Sequence, residues 1–96
     1  MNSSAQMKYQ MIEQYILSVD FGGDFSVKKI KEELKKILHE IPAVEIKYKK
    51  DIIVTEDLRG NKIKSTDEKV KSIIIGFSDG VNEKGEIVVH KEEFYL

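Results

Sequence analysis

Val70-Lys71-Ser72-Ile73-Ile74-Ile75-Gly76-Phe77 is the densest apolar stretch of this 96-residue chain, and three of its members are consecutive isoleucines. In an extended strand successive side chains point to opposite faces. Ile73, Ile75 and Phe77 are therefore expected on one side, and Val70 and Ile74 on the other. β-Branched side chains favour that conformation, and a strand apolar on both sides belongs in the middle of a sheet. The remainder of the chain reads as material to cover it.

Upstream lie two helical patterns. Over residues 4–19, Met7, Met11, Ile12, Tyr15, Ile16 and Val19 recur at the spacing of one helix face. Ser3-Ser4-Ala5-Gln6 has the spacing of a capping box, with the Ser3 hydroxyl accepting from the Gln6 amide. Gly22-Gly23 is expected to end this helix through a left-handed cap. A second helix is predicted over 27–40, with Ser26 as N-cap and Phe25 and Ile30 as a hydrophobic staple. Its apolar stripe is Val27, Ile30, Leu34, Ile37, Leu38 and Ile41. Opposite-sign pairs such as Lys28/Glu32 and Glu32/Lys36 fill the solvent face. Pro42 disfavours helix at the residue before it and stops the pattern.

After Pro42 the period changes to two. Val44, Ile46 and Tyr48 alternate with Glu45, Lys47 and Lys49, and Ile52-Ile53-Val54 extends the run. Asp57-Leu58-Arg59-Gly60 and Asn82-Glu83-Lys84-Gly85 share one turn chemistry, an Asx residue three positions before a glycine. That spacing suits a type I turn closed by a left-handed glycine and a G1 bulge. Strands are predicted over 44–56, 61–66, 70–80 and 86–95, with the polar Ser65-Thr66-Asp67-Glu68 turning the chain between the middle two. The result is a single α+β domain: an N-terminal helical hairpin packed on a three- to four-stranded antiparallel β-meander, in two layers. Two helices followed by hairpins resemble the beginning and end of a winged helix, but Pro42 to Val54, where the recognition helix should lie, alternates like a strand, so that fold is not assigned.

Composition narrows the function classes. Lys+Arg is 16 against Asp+Glu 17, a formal net charge of −1, which draws the molecule neither to nucleic acid nor to an anionic membrane. Arg59 is the only arginine, so the usual bidentate reader of phosphates and guanine edges is nearly missing. With no cysteine, disulfides, thiolate zinc sites and cysteine nucleophiles are excluded. No apolar run approaches the length of a membrane span and no leader pattern opens the sequence, so a cytoplasmic location is expected. The abundance of Lys, Ile and Glu fits an AT-rich bacterial genome.

Catalytic constellations are not evident. His39 falls at a helix C-terminus, where capping or solvation explains it. His90 has Glu92 and Glu93 nearby, but no further ligands at motif spacing. Asp20-Phe21-Gly22-Gly23-Asp24 lacks the lysine and spacing of a phosphate loop, and its aspartates repel phosphate. No catalytic, cofactor or metal site is assigned.

Two surfaces remain. Two helices cover one sheet face, yet apolar residues point to both. Ile53, Val70, Ile74 and Val88 are therefore expected to form an apolar interface for a second copy or a protein partner. The competing expectation is that a neighbouring loop, or the C-terminal Phe94-Tyr95-Leu96, folds over that face. The alternative function is weak, largely sequence-independent nucleic-acid binding by Lys47, Lys49, Lys62 and Lys64, should strand register bring them together. The reading favoured by the sequence is a small non-enzymatic interaction or regulatory protein.

Overall fold

The computed structural model describes residues 3–96, with side chains from Ser4 onward. Two helices, α1 (Ser3–Ser18) and α2 (Val27–Leu38), precede three strands, β1 (Ala43–Glu56), β2 (Lys62–Val81) and β3 (Ile87–Tyr95). The strands form one antiparallel sheet in the order β1-β2-β3, an α+β arrangement with the helices on one face.

The Ser3 side chain of the expected capping box lies outside the described residues. In α1 the face turned inward is Ala5, Ile12 and Ile16, whereas Met7 and Met11 are exposed. Neither Gly22 nor Gly23 takes a positive φ. The connection turns instead on Asp20, whose carboxylate accepts from the Gly22 amide at 3.1 Å. A Cβ on Gly23 would come within 2.6 Å of that carboxylate, which would have to swing aside.

Helix α2 starts as its sequence predicts, with the Ser26 hydroxyl accepting from the Lys29 amide at 3.1 Å. It ends at Leu38, before Pro42 can act. His39 adopts a left-handed conformation (φ 57°, ψ 29°) and donates its amide to the Lys35 carbonyl.

The core is one cluster. Ile12 and Ile16 of α1, and Ile30, Leu34 and Leu38 of α2, pack with Ile73, Ile75, Phe77 and Phe94 of the sheet. Ile73 and Ile75 are fully buried, as the alternation of the central strand requires. Tyr9 stacks on Phe94 with ring centroids 5.4 Å apart. The C-terminal Phe94 thus turns under the helices and does not fold over the far face.

One expected turn is absent. Ser65, Thr66, Asp67 and Glu68 lie within β2, opposite Ile53, Ile52, Asp51 and Lys50 of β1. The stretch contains neither glycine nor proline, and a 14-residue partner strand supplies hydrogen bonds throughout. The predicted third and fourth strands are one 20-residue strand.

That continuity gives the molecule its shape. β3 pairs with β2 only from Ser72 to Val81, so the strands beyond Tyr48 and Val70 have no third neighbour. They project as a two-stranded arm, 48–56 with 62–70. The principal extents are 68 × 24 × 20 Å and the radius of gyration is 18.5 Å, against about 12.5 Å for a compact chain of this length.

Candidate interaction surfaces

Two irregularities decide which side chains face where. Lys47 pairs with Ser72 but Tyr48 pairs with Val70, leaving Lys71 as an extra residue in β2. This β-bulge reverses the alternation along the strand. Val70 consequently lies on the helix side, beside Phe21 and Phe25 of the α1–α2 loop, and Ile74 lies on the outer side. The expectation that they share a face fails at Lys71. At the other end, Asp79 and Gly80 of β2 stand against Val88 alone, with Gly80 at φ 79°.

The outer face of the body is therefore not the surface read from the sequence. Ile74 is only half-buried, and an ion pair crosses the central strand next to it: Lys47 Nζ of β1 reaches Glu93 Oε1 of β3 at 3.4 Å. Ser72, on the same strand, is fully buried and its hydroxyl has no hydrogen-bond partner. Ile53 lies on the outer side too, but out on the arm opposite Ser65, with charged rungs between it and Ile74. Val88 belongs to the helix side, since Phe94 is in the core and His90 packs edge-on against Phe77. The four residues named for an interface are not one patch.

A different apolar surface takes their place. Gly76 leaves the outer face open in the middle of the sheet; a Cβ there would meet Ala43 at 3.2 Å and Val89 at 3.5 Å. Around it Ile41, Val81, Ile87 and Val89 are largely exposed and line a groove of about 540 Å³. Because Ile87-Val88-Val89 is apolar at three consecutive positions, alternation gives no phase there. The signal that could have found the groove is Phe94: with Phe94 inward, Val88 follows it inward and Val89 faces out.

The lysines are equally dispersed. Lys47 and Lys49 lie at the arm's base on the outer side. Lys62 and Lys64 lie near its tip on the helix side, opposite Glu56 and Val54. From Lys49 to the Lys64 rung is five residues of β1, about 17 Å. No common basic surface forms.

The arm itself exposes six large apolar side chains. On its helix side are Tyr48, Ile52 and Val54, on its outer side Ile53 and Ile63, and at its tip Leu58, wholly exposed. Its turn has the predicted geometry. Gly60 is at φ 82°, and the Asp57 carboxylate accepts from the amides of Arg59 and Asn61, each at 2.9 Å. The Asn61 amide is the largest influence on the Asp57 carboxyl and, with the Arg59 amide and the Asn61 side chain, holds it below the usual range although desolvation acts in the opposite sense. Asn82 builds the same turn at the other end, accepting from Lys84 and Glu86 at 2.9 Å each, with Gly85 at φ 78°.

Two polar clusters remain, one at the end of the sheet just before β1 and one on the helix side of β3. Glu40 receives the Lys8 ammonium at 2.8 Å and the Ser78 amide at 3.3 Å, and Lys8 also donates to the Ser78 hydroxyl at 2.8 Å. Burial alone would raise the Glu40 carboxyl, but these hydrogen bonds and the Lys8 charge together hold it below its usual value. This network ties α1, the α2–β1 connection and β2 together. On β3, His90 Nε2 meets Glu92 Oε1 at 2.6 Å. The two share a strand face, while Glu93 points to the other side and pairs with Lys47. Among the described residues no group of three or more His, Asp or Glu converges as a metal site would require. Nor is any described helix long and apolar enough to cross a membrane.

Comparison with protein-family models, with curated proteins and with solved structures gives no match for this chain. Any functional reading therefore rests on the geometry.

Proposed function

We propose that this chain is a small protein-interaction module that acts by binding, and that its interaction element is the projecting β1–β2 arm. The observation that carries the reading is the arm's isolation. An isolated two-stranded hairpin is marginal in water, yet this one extends the body by some eight residues per strand and exposes apolar side chains on both sides. Such a ribbon offers both a face and two unpaired edges to a protein partner. Its charge does not favour nucleic acid, because six basic residues over 49–69 are met by five acidic ones.

The test is site-specific photo-crosslinking in cells that express the chain. A photoreactive side chain at Ile53 or Ile63 is expected to give discrete protein adducts, and the same group at Lys28, on the exposed side of α2, is not. Adducts equally abundant from all three positions, or none from the arm, would remove the arm as the interaction element.

A further inference from the structure

The two sides of the arm handle charge differently. On the helix side, charges opposite one another have opposite sign: Lys50 faces Glu68, with an ion pair at 3.6 Å, and Glu56 faces Lys62. On the outer side the adjacent rungs are Lys49 opposite Lys69 and Asp51 opposite Asp67. Like charges directly opposite are about 5 Å apart at Cβ, whereas the attractive diagonals are about 7–8 Å. None of the four takes part in an ion pair with a described residue. The helix side sets opposite charges across the ladder and forms one ion pair, whereas the outer side leaves a lysine rung and an aspartate rung side by side.

That pattern is complementary to itself. Two copies stacked outer face to outer face, about a two-fold axis that crosses the strands between the two rungs, run antiparallel. Each lysine rung then lies over the partner's aspartate rung. The same axis fixes every other contact. Seven residues of β1 from the midpoint lead to Ala43 in one direction and to Asp57, the first residue of the tip turn, in the other. The tip therefore lies over the rung of Ala43 and Gly76. There the outer face has its apolar groove, and the tip carries the fully exposed Leu58. Charge pattern and arm length give the same alignment independently.

We infer that the partner of the arm is a second copy of this chain, in a two-fold dimer. The arm of each copy lies across the outer sheet face of the other, and Leu58 is seated in the groove floored by Gly76. The inference rests on the arm being the interaction element and adds the identity of what it binds. The overlap runs fourteen residues, about 46 Å, and is two strands or about 10 Å wide. It covers on the order of 1,000 Å² over the two copies, where specific interfaces begin. The contact is isologous and closed, with the helices of both copies facing outward.

The test uses the whole chain in sedimentation equilibrium at low salt, with circular dichroism to confirm folding. The wild type is expected to dimerise, and more weakly as salt is raised. The all-acidic face of K49D/K69D and the all-basic face of D51K/D67K are each expected to raise the dissociation constant at least tenfold. Mixed one to one, the two variants are expected to recover association as a heterodimer, which misfolded proteins would not do. Leu58→Asp changes a side chain that touches nothing in the monomer and is expected to weaken the dimer at least tenfold. A wild type that stays monomeric to millimolar concentration overturns the dimer. So does a mixture that fails to reassociate, or a Leu58→Asp variant that dimerises like the wild type. Crosslinks from the arm to some other protein, with the chain itself monomeric, would end this inference while leaving the interaction reading intact.

Discussion

The same two strands form two different structures at their two ends. From Ala43 to Lys47 and from Ser72 to Val81 they are part of a three-stranded sheet, with Ile73, Ile75 and Phe77 buried under both helices. From Tyr48 and Val70 outward the hydrogen-bond ladder continues without interruption, yet hardly a side chain is covered. Backbone pairing is constant along the hairpin and burial is not. Net hydrogen-bond contributions are modest because water competes for the same groups, while apolar burial scales with area removed from water. The body therefore holds the stability of the molecule, and the arm draws on it.

Truncation separates the two ends most sharply. Phe77→Ala in the body is expected to cost about 3–5 kcal/mol. Ile52→Ala, an apolar truncation on the arm, is expected to cost less than about 0.5 kcal/mol. Urea denaturation of both variants at a concentration where the chain is monomeric measures the contrast. Similar losses would mean that the arm is packed against something in the monomer.

A second contrast is electrostatic. Lys8→Met removes the cation from the Lys8–Glu40–Ser78 network and is expected to cost about 1–3 kcal/mol at neutral pH, given its partial burial. Since the folded state depresses the Glu40 pKa, this stabilisation is fully present above the unfolded carboxylate value of about 4.3 and is lost as pH falls through the lower folded value. The difference between wild type and variant should therefore shrink on acidification below about pH 4. A difference that stays constant down to pH 2 would show that Lys8 acts through packing.

The two turns provide the finest comparison, because they share a geometry and differ in one titratable atom set. Asp57 has a depressed pKa and holds the arm tip while ionised. As pH falls through that value its carboxylate ceases to accept from Asn61, and the tip loosens. Asn82 does not titrate. In an NMR pH series the Asn61 amide should shift in the acid range while the Glu86 amide does not, and Asp57→Asn should abolish the shift. An unchanged profile in that variant would assign the titration to another group.

Much of this architecture could be read from residue order. The change of period at Pro42, the N-cap at Ser26 and the Asx-x-x-Gly spacing of both turns each have a local cause, and local causes are legible. What could not be read is phase. Lys71 as an extra residue in β2 and Asp79-Gly80 opposite Val88 leave no compositional mark, yet they decide that Val70 turns inward and Val89 outward. The absence of a turn at Ser65–Glu68 was equally hidden, since a polar stretch suits a loop or a doubly exposed strand. The charge rungs are latent in Lys49-Lys50-Asp51 and Asp67-Glu68-Lys69, triplets of inverted sign order that acquire meaning only when the register is known.

The unequal ends of the hairpin also set an order in time. The Asn82 turn closes beside Phe77 and Phe94, so the β2–β3 hairpin gains core contacts within a few residues of its turn. The Asp57 turn must zip the whole arm before it reaches Ile46 and Ile73, and each rung on the way repays little of the entropy spent in closing it. Folding should therefore nucleate at the β2–β3 hairpin under the helices, with the arm completed from its base outward. Unfolding should begin at Leu58. Pulse-labelled hydrogen exchange would record this as early protection at Ile75 and late protection at Ile53, and simultaneous protection of both would mean that the ribbon and the body form in one step.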